Sequence, residues 1–253
     1  MRIVILTSNG LRHKFLANSL ASHADDALII SECKPNDSKD ITEIDNHFRL
    51  RNETEKSFFP KNDFFMAKTL PIIYKEVNLD YVYQVIKNFE PDIMVIFGSS
   101  IVREPLLSLL STDRIINLHL GLSPYYRGSG TNFWPFVNNE LEYLGSTILH
   151  LDSGIDTGDI ICHIRPTINV GDNVHTIGCK IIQSSVASLI KIMDLLNEGK
   201  KLNRSKQWNV KERFYKINDF NEDALLKYKT NLKNGMIENY LKQKDKKIKL
   251  VDL

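Results

Sequence analysis

The sequence predicts an α/β fold, a mostly parallel sheet with helices on both faces and a small appendage at the C-terminal end. Two observations carry this. Short apolar runs of the kind that form buried strands alternate with stretches whose apolar residues recur at helical spacing, as a parallel sheet and its crossover helices require. After Gly199-Lys200-Lys201 the composition shifts to Asn, Lys and aromatics, so the chain divides into a main domain, 1–199, and an extension, 200–253.

In chain order, Arg2 to Thr7 reads as a buried strand, and Leu11 to Ser22 as a helix with Leu11, Phe15, Leu16 and Leu20 at helical spacing. Ala27 to Ile30 is the next strand. Lys34 to Asp63 is polar with mixed charges, anchored only by Phe58-Phe59-Pro60 and Phe64-Phe65. It is read as a solvated surface excursion, with a lid as the alternative. Tyr81 to Phe89 is a helix with Tyr81, Val82, Val85, Ile86 and Phe89 on one side. Pro91 disfavours helical backbone at Glu90, so the helix ends there and the chain enters a strand at Ile93 to Phe97. Gly98 then begins a turn towards a helix at Arg103-Glu104-Pro105. Further strands are expected at Arg114 to Leu120, Gly145 to Leu151 and Asp159 to Ile164. Asp172 is the expected N-cap of a long helix striped by Val174, Ile177, Ile181, Val186, Leu189, Ile190 and Met193. In the extension, one lone helical stretch, Asp223 to Leu241, is too small for its own core and should serve a dimer contact or wall a substrate. The basic run Lys242 to Lys247 reads as a solvated terminus.

Composition bounds the function. With 253 residues, 25% of them charged and 42% hydrophobic, the chain is an ordinary globular one. Its 33 Lys and Arg against 31 Asp and Glu leave a formal net charge of +2. That supplies no footprint for a nucleic-acid backbone, and no nucleic-acid partner is expected. The opening apolar run is too short for a signal core and no segment approaches a membrane span, so a cytoplasmic location and no membrane partner are expected. Cys33, Cys162 and Cys179 lack C-x-x-C spacing and are read as reduced core thiols. Cys162, His163 and His150 lack ligand spacing as well, and no metal is expected.

The chemistry concentrates in one region. Along Ile115-Ile116-Asn117-Leu118-His119-Leu120 the period of a strand turns Asn117 and His119 to one face. A turn-rich loop follows, Gly121 to Gly130, where α/β sheets place ligand-contacting groups. A second loop, Leu151 to Asp159, carries the carboxylates Asp152, Asp156 and Asp159, the last read as turn-forming.

Asn117-Leu118-His119, then Leu122-Ser123-Pro124-Tyr125-Tyr126-Arg127-Gly128, then Asp152-Ser153-Gly154-Ile155-Asp156-Thr157-Gly158-Asp159-Ile160-Ile161, resembles the signature of the folate-dependent formyltransferases. These include glycinamide ribonucleotide, methionyl-tRNA and nucleotide-sugar amine N-formyltransferases. The resemblance covers Met1 to Glu198 and implies a Rossmann-like sheet, 10-formyltetrahydrofolate as formyl donor, and a catalytic set of Asn117, His119 and Asp156. It departs from the family's pattern at Leu120-Gly121 and at Ser123. By resemblance Phe97, Gly98, Ser100, Ile101 and Val102, with Asp152 and Asp156, face the folate. Size and the aromatic stretches around Tyr125 to Trp134 and Trp208 to Phe220 look most like nucleotide-sugar enzymes, which implies a nucleotide-sugar substrate and a homodimer. On the substrate side stand Asn9, Gly10, Arg12, His13 and Lys14 at a helix N-terminus, where a pyrophosphate can dock, and Ser123, Tyr125, Tyr126 and Arg127.

The residue types also fit the chemistry by themselves. An amine attacking a formamide carbon develops an oxyanion, which donors from Asn117 and His119 would stabilise, while Asp156 orients the imidazole and helps move protons. Other classes fail. Gly121-Leu122-Ser123-Pro124-Tyr125 is no nucleophile elbow, since Pro124 has no N–H to offer an oxyanion. The chain has no G-x-G-x-x-G and no Walker loop. Ser8-Asn9-Gly10-Leu11 departs from the phosphate loop of the purine enzymes, and the extension looks unlike the tRNA-binding barrel of methionyl-tRNA enzymes. Formyl transfer to another amine, or folate binding without turnover, are the alternatives.

Overall fold

The computed structural model describes residues 1–34, 42–211, 213–243 and 247–253. Its centre is a seven-stranded sheet. The strands are β1 (Arg2–Ser8), β2 (Asp26–Cys33), β3 (Lys68–Ile73), β4 (Ile93–Phe97), β5 (Ile115–His119) and, after a short β6 (Tyr126–Gly128) outside the sheet, β7 (Ser146–His150) and β8 (Ile160–Ile164). Their order is β3-β2-β1-β4-β5-β7-β8. The first five run parallel, and β7 and β8 run antiparallel to their neighbours. The mostly parallel Rossmann-like sheet is therefore present.

Period-two alternation sorts the core. Ile3, Ile5, Ile29, Ile93, Val95, Ile116 and Leu118 face one side, against α1 (Leu11–Ala21) and, further along the chain, the long α5 (Val174–Asn197). Val4, Leu6, Ile30, Met94, Ile96 and Ile115 face the other, against Val82, Ile86 and Phe89 of α3 (Asp80–Phe89). Tyr81 and Val85, expected on that buried side, are exposed at its margin. Glu90 closes α3 in the left-handed region, φ 51°, just before Pro91.

Several expectations need correction. Most of the 34–63 excursion is a helix, α2 (Glu43–Phe58); residues 35–41 of it lie outside the described region. A capping box between Thr42 and Asp45 starts α2, and the buried side chains of His47 and Glu55 dock it. Its apolar stripe is sparse because polar contacts do much of the docking. Strand β3 was not foreseen; it is an edge strand, where Pro71 is tolerated. No helix forms at 103–105, only a 3-10 turn at Leu106–Ser108. The N-cap of α5 is Asn173, in a capping box with Thr176, while Asp172 pairs with Lys180 at 2.6 Å. Cys162 and Cys179 are buried, which pushes their thiols up to about 12, but Cys33 is exposed at the end of β2.

The extension contributes β9 (Arg213–Tyr215), which pairs with β6, and two helices, α6 (Glu222–Lys233) and α7 (Met236–Lys242), rather than one. They part at Gly235, whose φ of 72° suits glycine. Leu225, Tyr228, Met236 and Ile237 pack into a third core with Tyr126, Phe136 of α4 (Trp134–Val137), Ile177 and Ile181. No described helix is long and apolar enough to cross a membrane.

Candidate active site

The chain runs β1, β2, β3 to one edge and then returns to place β4 on the other side of β1. The crevice above the carboxyl ends of β1 and β4 is thus the topological switch point, where open α/β sheets bind ligands. Next to it, β5 ends on the catalytic candidates. Asn117 and His119 share the face of Ile115, and Leu120 onwards turns away from the sheet.

Asp156 meets both. Its Oδ2 lies 3.2 Å from His119 Nδ1, and its Oδ1 accepts from Asn117 Nδ2 at 3.3 Å. The Gly128 main-chain N–H adds a longer contact to Oδ2, 3.4 Å. The other imidazole nitrogen, Nε2, is 3.0 Å from the main-chain oxygen of Tyr126. A carbonyl only accepts, so Nε2 carries a hydrogen, and Nδ1 faces a carboxylate. Both ring nitrogens thus face an oxygen acceptor. The imidazole is nearly buried, with its side chain 6% exposed. In this arrangement the three candidates satisfy one another, and a reacting oxygen would have to share or displace those bonds; catalytic hydrogen bonds often tighten only with substrate present.

The loop between β7 and β8 delivers Asp156. Asp156 adopts φ 53°, a region that costs a non-glycine residue. Gly158 lies so close to β7 that a Cβ there would come within 1.8 Å of the His150 carbonyl oxygen. Asp152 accepts from Gly154 N and from Thr157 Oγ1, at 3.0 and 2.8 Å, and so folds the loop from inside. Asp159 pairs with Arg204 at 3.2 Å, consistent with its structural reading.

Around β4, Phe97 is buried, and its carbonyl accepts from Thr7 Oγ1 at 2.8 Å. Gly98 has φ 74°. Ser100 donates through N and Oγ to Glu32 Oε2, at 2.6 and 3.0 Å, and the same fully buried carboxylate accepts Lys75 N at 2.9 Å. Glu32 thus fixes the loop after β4, a role that no motif announced. Val102 is buried, while Ile101, 51% exposed, and Ile155, 45% exposed, are apolar faces open to a ligand on the two neighbouring loops.

The substrate-side candidates divide. Asn9 and Gly10 are exposed at the end of β1. Arg12 forms an ion pair with Glu55, and Lys14 Nζ donates to the Asp63 carbonyl at 2.7 Å, so both charges are engaged by the protein. His13 fills the switch crevice: a Cβ on Gly98 would lie 2.5 Å from its Nε2. Burial, aided by Arg12, Lys34 and Arg51, holds its pKa well below the usual value for histidine. Ser123 is fully buried and its N–H donates to Thr147 Oγ1 at 2.9 Å. Tyr125 OH lies 3.1 Å from the Lys249 carbonyl oxygen, and the Tyr126 hydroxyl donates to Glu140. Arg127 lies on β6 opposite Phe214. The structure brings Asn117, His119 and Asp156 together, and places Ser123, Tyr125 and Tyr126 mainly in the supporting core.

The formyl transferase family model matches residues 1–193, three quarters of the chain and all of the sheet that holds this cluster. The chain belongs to the formyl transferase family. A methionyl-tRNA formyltransferase from Desulforamulus reducens is 31% identical over 122 residues, which are 48% of this chain and 38% of that protein. The chain therefore matches well under half of that relative's length. Among solved structures, a Helicobacter canadensis N-formyltransferase in complex with folinic acid and dTDP-3-aminofucose covers 87% of this chain, and 73% of its own is matched, at a TM-score of 0.58 and 20% identity. The formyltransferase PseJ from Anoxybacillus kamchatkensis, solved with UDP-4,6-dideoxy-4-formamido-L-AltNAc and tetrahydrofolate, covers 87% of both chains, with a TM-score of 0.52 and 20% identity. The formyl transferase fold extends beyond the family match into the extension.

A cavity of about 460 Å³ lies elsewhere, lined by His47, His175, Tyr228, Lys229 and their neighbours, none of them in the Asn117 cluster. Among the described residues no three His, Cys, Asp or Glu side chains group as metal ligands.

Proposed function

We propose that the protein transfers a formyl group from 10-formyltetrahydrofolate to the primary amine of a nucleotide-linked sugar. The convergence of Asn117, His119 and Asp156 at the carboxyl end of β5 carries the reading. The folate would supply an activated formyl group. The loop after β4, held by Glu32 and flanked by the exposed Ile101 and Ile155, fits a flat heteroaromatic ring through backbone groups and apolar faces. At the reacting carbon, N–H groups of Asn117 and His119 stabilise the developing oxyanion. Asp156 keeps the imidazole oriented and accepts or returns protons as the amine loses one and the folate nitrogen gains one.

The amine class is taken from the two sugar enzymes that share this fold over 87% of the chain; a phosphoribosylglycinamide formyltransferase shares it over 86%, so the substrate panel decides between the amines. The extension packs α6 and α7 into the core that carries Tyr125 and Tyr126, and so supports the loop that follows β5. The test is incubation with 10-formyltetrahydrofolate and a panel containing dTDP-3-aminofucose, other dTDP- and UDP-linked amino sugars, glycinamide ribonucleotide and methionyl-tRNA. Tetrahydrofolate release with a product 28 mass units heavier, one formyl group in place of one hydrogen, is expected for an amino sugar. Formylation of methionyl-tRNA alone would overturn the amine assignment and leave formyl transfer standing.

A further inference from the structure

Asp156 has to hold an unfavourable backbone conformation while its carboxylate meets His119 and Asn117. What holds it comes from the extension. Gln207 Nε2 donates to the Asp156 main-chain oxygen at 2.7 Å and to the Gly158 oxygen at 3.0 Å. An amide nitrogen carries two hydrogens, so both are used. Gln207 Oε1, by contrast, is buried without a partner. An unpaired buried acceptor is costly, and a residue kept only for its bulk would not bear that cost. The donor end is what the loop needs.

Gln207 is itself fixed. Ser205 and Ile160 exchange both main-chain hydrogen bonds, at 2.8 and 3.0 Å, as an antiparallel bridge. The same register carries Gln207 opposite Gly158, at the root of the Asp156 loop. Two residues to the other side, Asn203 accepts from His150 Nε2 at 2.9 Å and donates to the Ile161 oxygen at 3.3 Å. Trp208 packs edge-on to Tyr125 and His163 on the next position. Residues 203–208 therefore run along the outer edge of β8 as a brace.

We infer that Gln207 is a positioning residue for formyl transfer: its amide locks the Asp156 backbone so that the carboxylate stays against His119. The inference rests on the reading of Asp156 as part of the catalytic set. The test reads the His119 ring nitrogens directly, by NMR of protein labelled with 15N histidine, without any amine. Asp156→Asn is the reference and should move both resonances. Gln207→Leu, which keeps bulk and removes the donor, should move them the same way while binding of folinic acid stays within about threefold of wild type. With the amine that the panel identifies, its kcat should fall by roughly tenfold to a hundredfold, with KM changing much less. If Gln207→Leu does not fold, Gln207→Glu removes the same donor at the same length and carries the test. Unmoved His119 resonances in a folded Gln207 variant, with Asp156→Asn shifted, overturn the positioning role alone. Unmoved resonances in Asp156→Asn itself overturn the Asp156–His119 pairing, and the positioning role falls with it.

Discussion

At the scale of single residues, the cluster makes a kinetic prediction. Asn117, His119 and Asp156 are joined by contacts of 3.2 and 3.3 Å and act on one charge-separated state. His119→Ala and Asn117→Ala should each lower kcat by about 10²–10³-fold, the loss seen when one oxyanion donor is removed elsewhere. Asp156→Asn should fall in the same range, while folate affinity is kept. The double variant His119→Ala with Asp156→Asn should cost little more than the worse single one, since the two act as a unit. Single-turnover formyl transfer beside folate titration checks this, and wild-type turnover in His119→Ala would remove the residue from the mechanism. The polar pair was legible as a candidate site only with the two turn-rich loops that follow it, because a His at a strand end by itself more often makes a structural hydrogen bond. Glu32, the Tyr126 carbonyl and Gln207 were not, because two of them act on backbone groups and the third offers one. Such partners leave no signature in side-chain type.

At the scale of elements, α2 shows how polar docking hides a helix from hydrophobic patterning. Its Glu55 side chain is 5% exposed, ion-paired with Arg12 and 3.7 Å from Arg51. Glu55→Gln would leave Arg12 facing no charge and should destabilise the fold by about 3 kcal/mol. Urea unfolding at neutral pH measures it, and an unchanged midpoint would show that α2 docks without this pair. The same helix faces α5 through His47 and His175, whose ring centroids are 4.4 Å apart. Burial, with the cations Arg51 and Lys229 nearby, pushes His47 down to about 4; burial, with His47, Arg51 and Arg12 nearby, pushes His175 down to about 3. Both rings stay neutral in the folded state while the unfolded chain takes up protons below about pH 6.5. Stability should therefore be full above pH 7 and decline as pH falls through 6 and 5 towards 4. Thermal midpoints across that range test the sign, and His175→Gln should flatten the slope. Strand β3, with Pro71 and only six residues, and the reversal at β7 and β8 escaped the sequence for another reason: an apolar run reports burial, not direction or edge.

For the whole molecule, the break at Gly199 is compositional more than physical. Leu225, Tyr228, Met236 and Ile237 are buried among residues that precede the break, and β9 pairs with β6 across it. A chain ending at Gly199 should expose that apolar surface and lose the Gln207 brace together. Expression of residues 1–199 should give aggregating protein that binds a hydrophobic dye, whereas a soluble, folded fragment would show that the sheet stands alone. The alternation of strand and helix was enough to foresee the parallel half of the sheet, because buried parallel strands read as continuous apolar runs. How the last fifty residues wrap the domain depends on contacts between distant side chains, which periodicity does not record.

The brace also furnishes an optical handle. The sequence has two tryptophans. Trp134 is stacked flat on Tyr215, with ring centroids 3.9 Å apart, and Trp208 sits beside Gln207 under the Lys249 ammonium, 4.4 Å from its ring centre. Replacing Trp134 with Phe would leave one tryptophan, next to the residue that ties the extension to the Asp156 loop. Its emission wavelength and quenching would then follow whether the brace is seated, in real time and without label, as folate or an amino sugar is added.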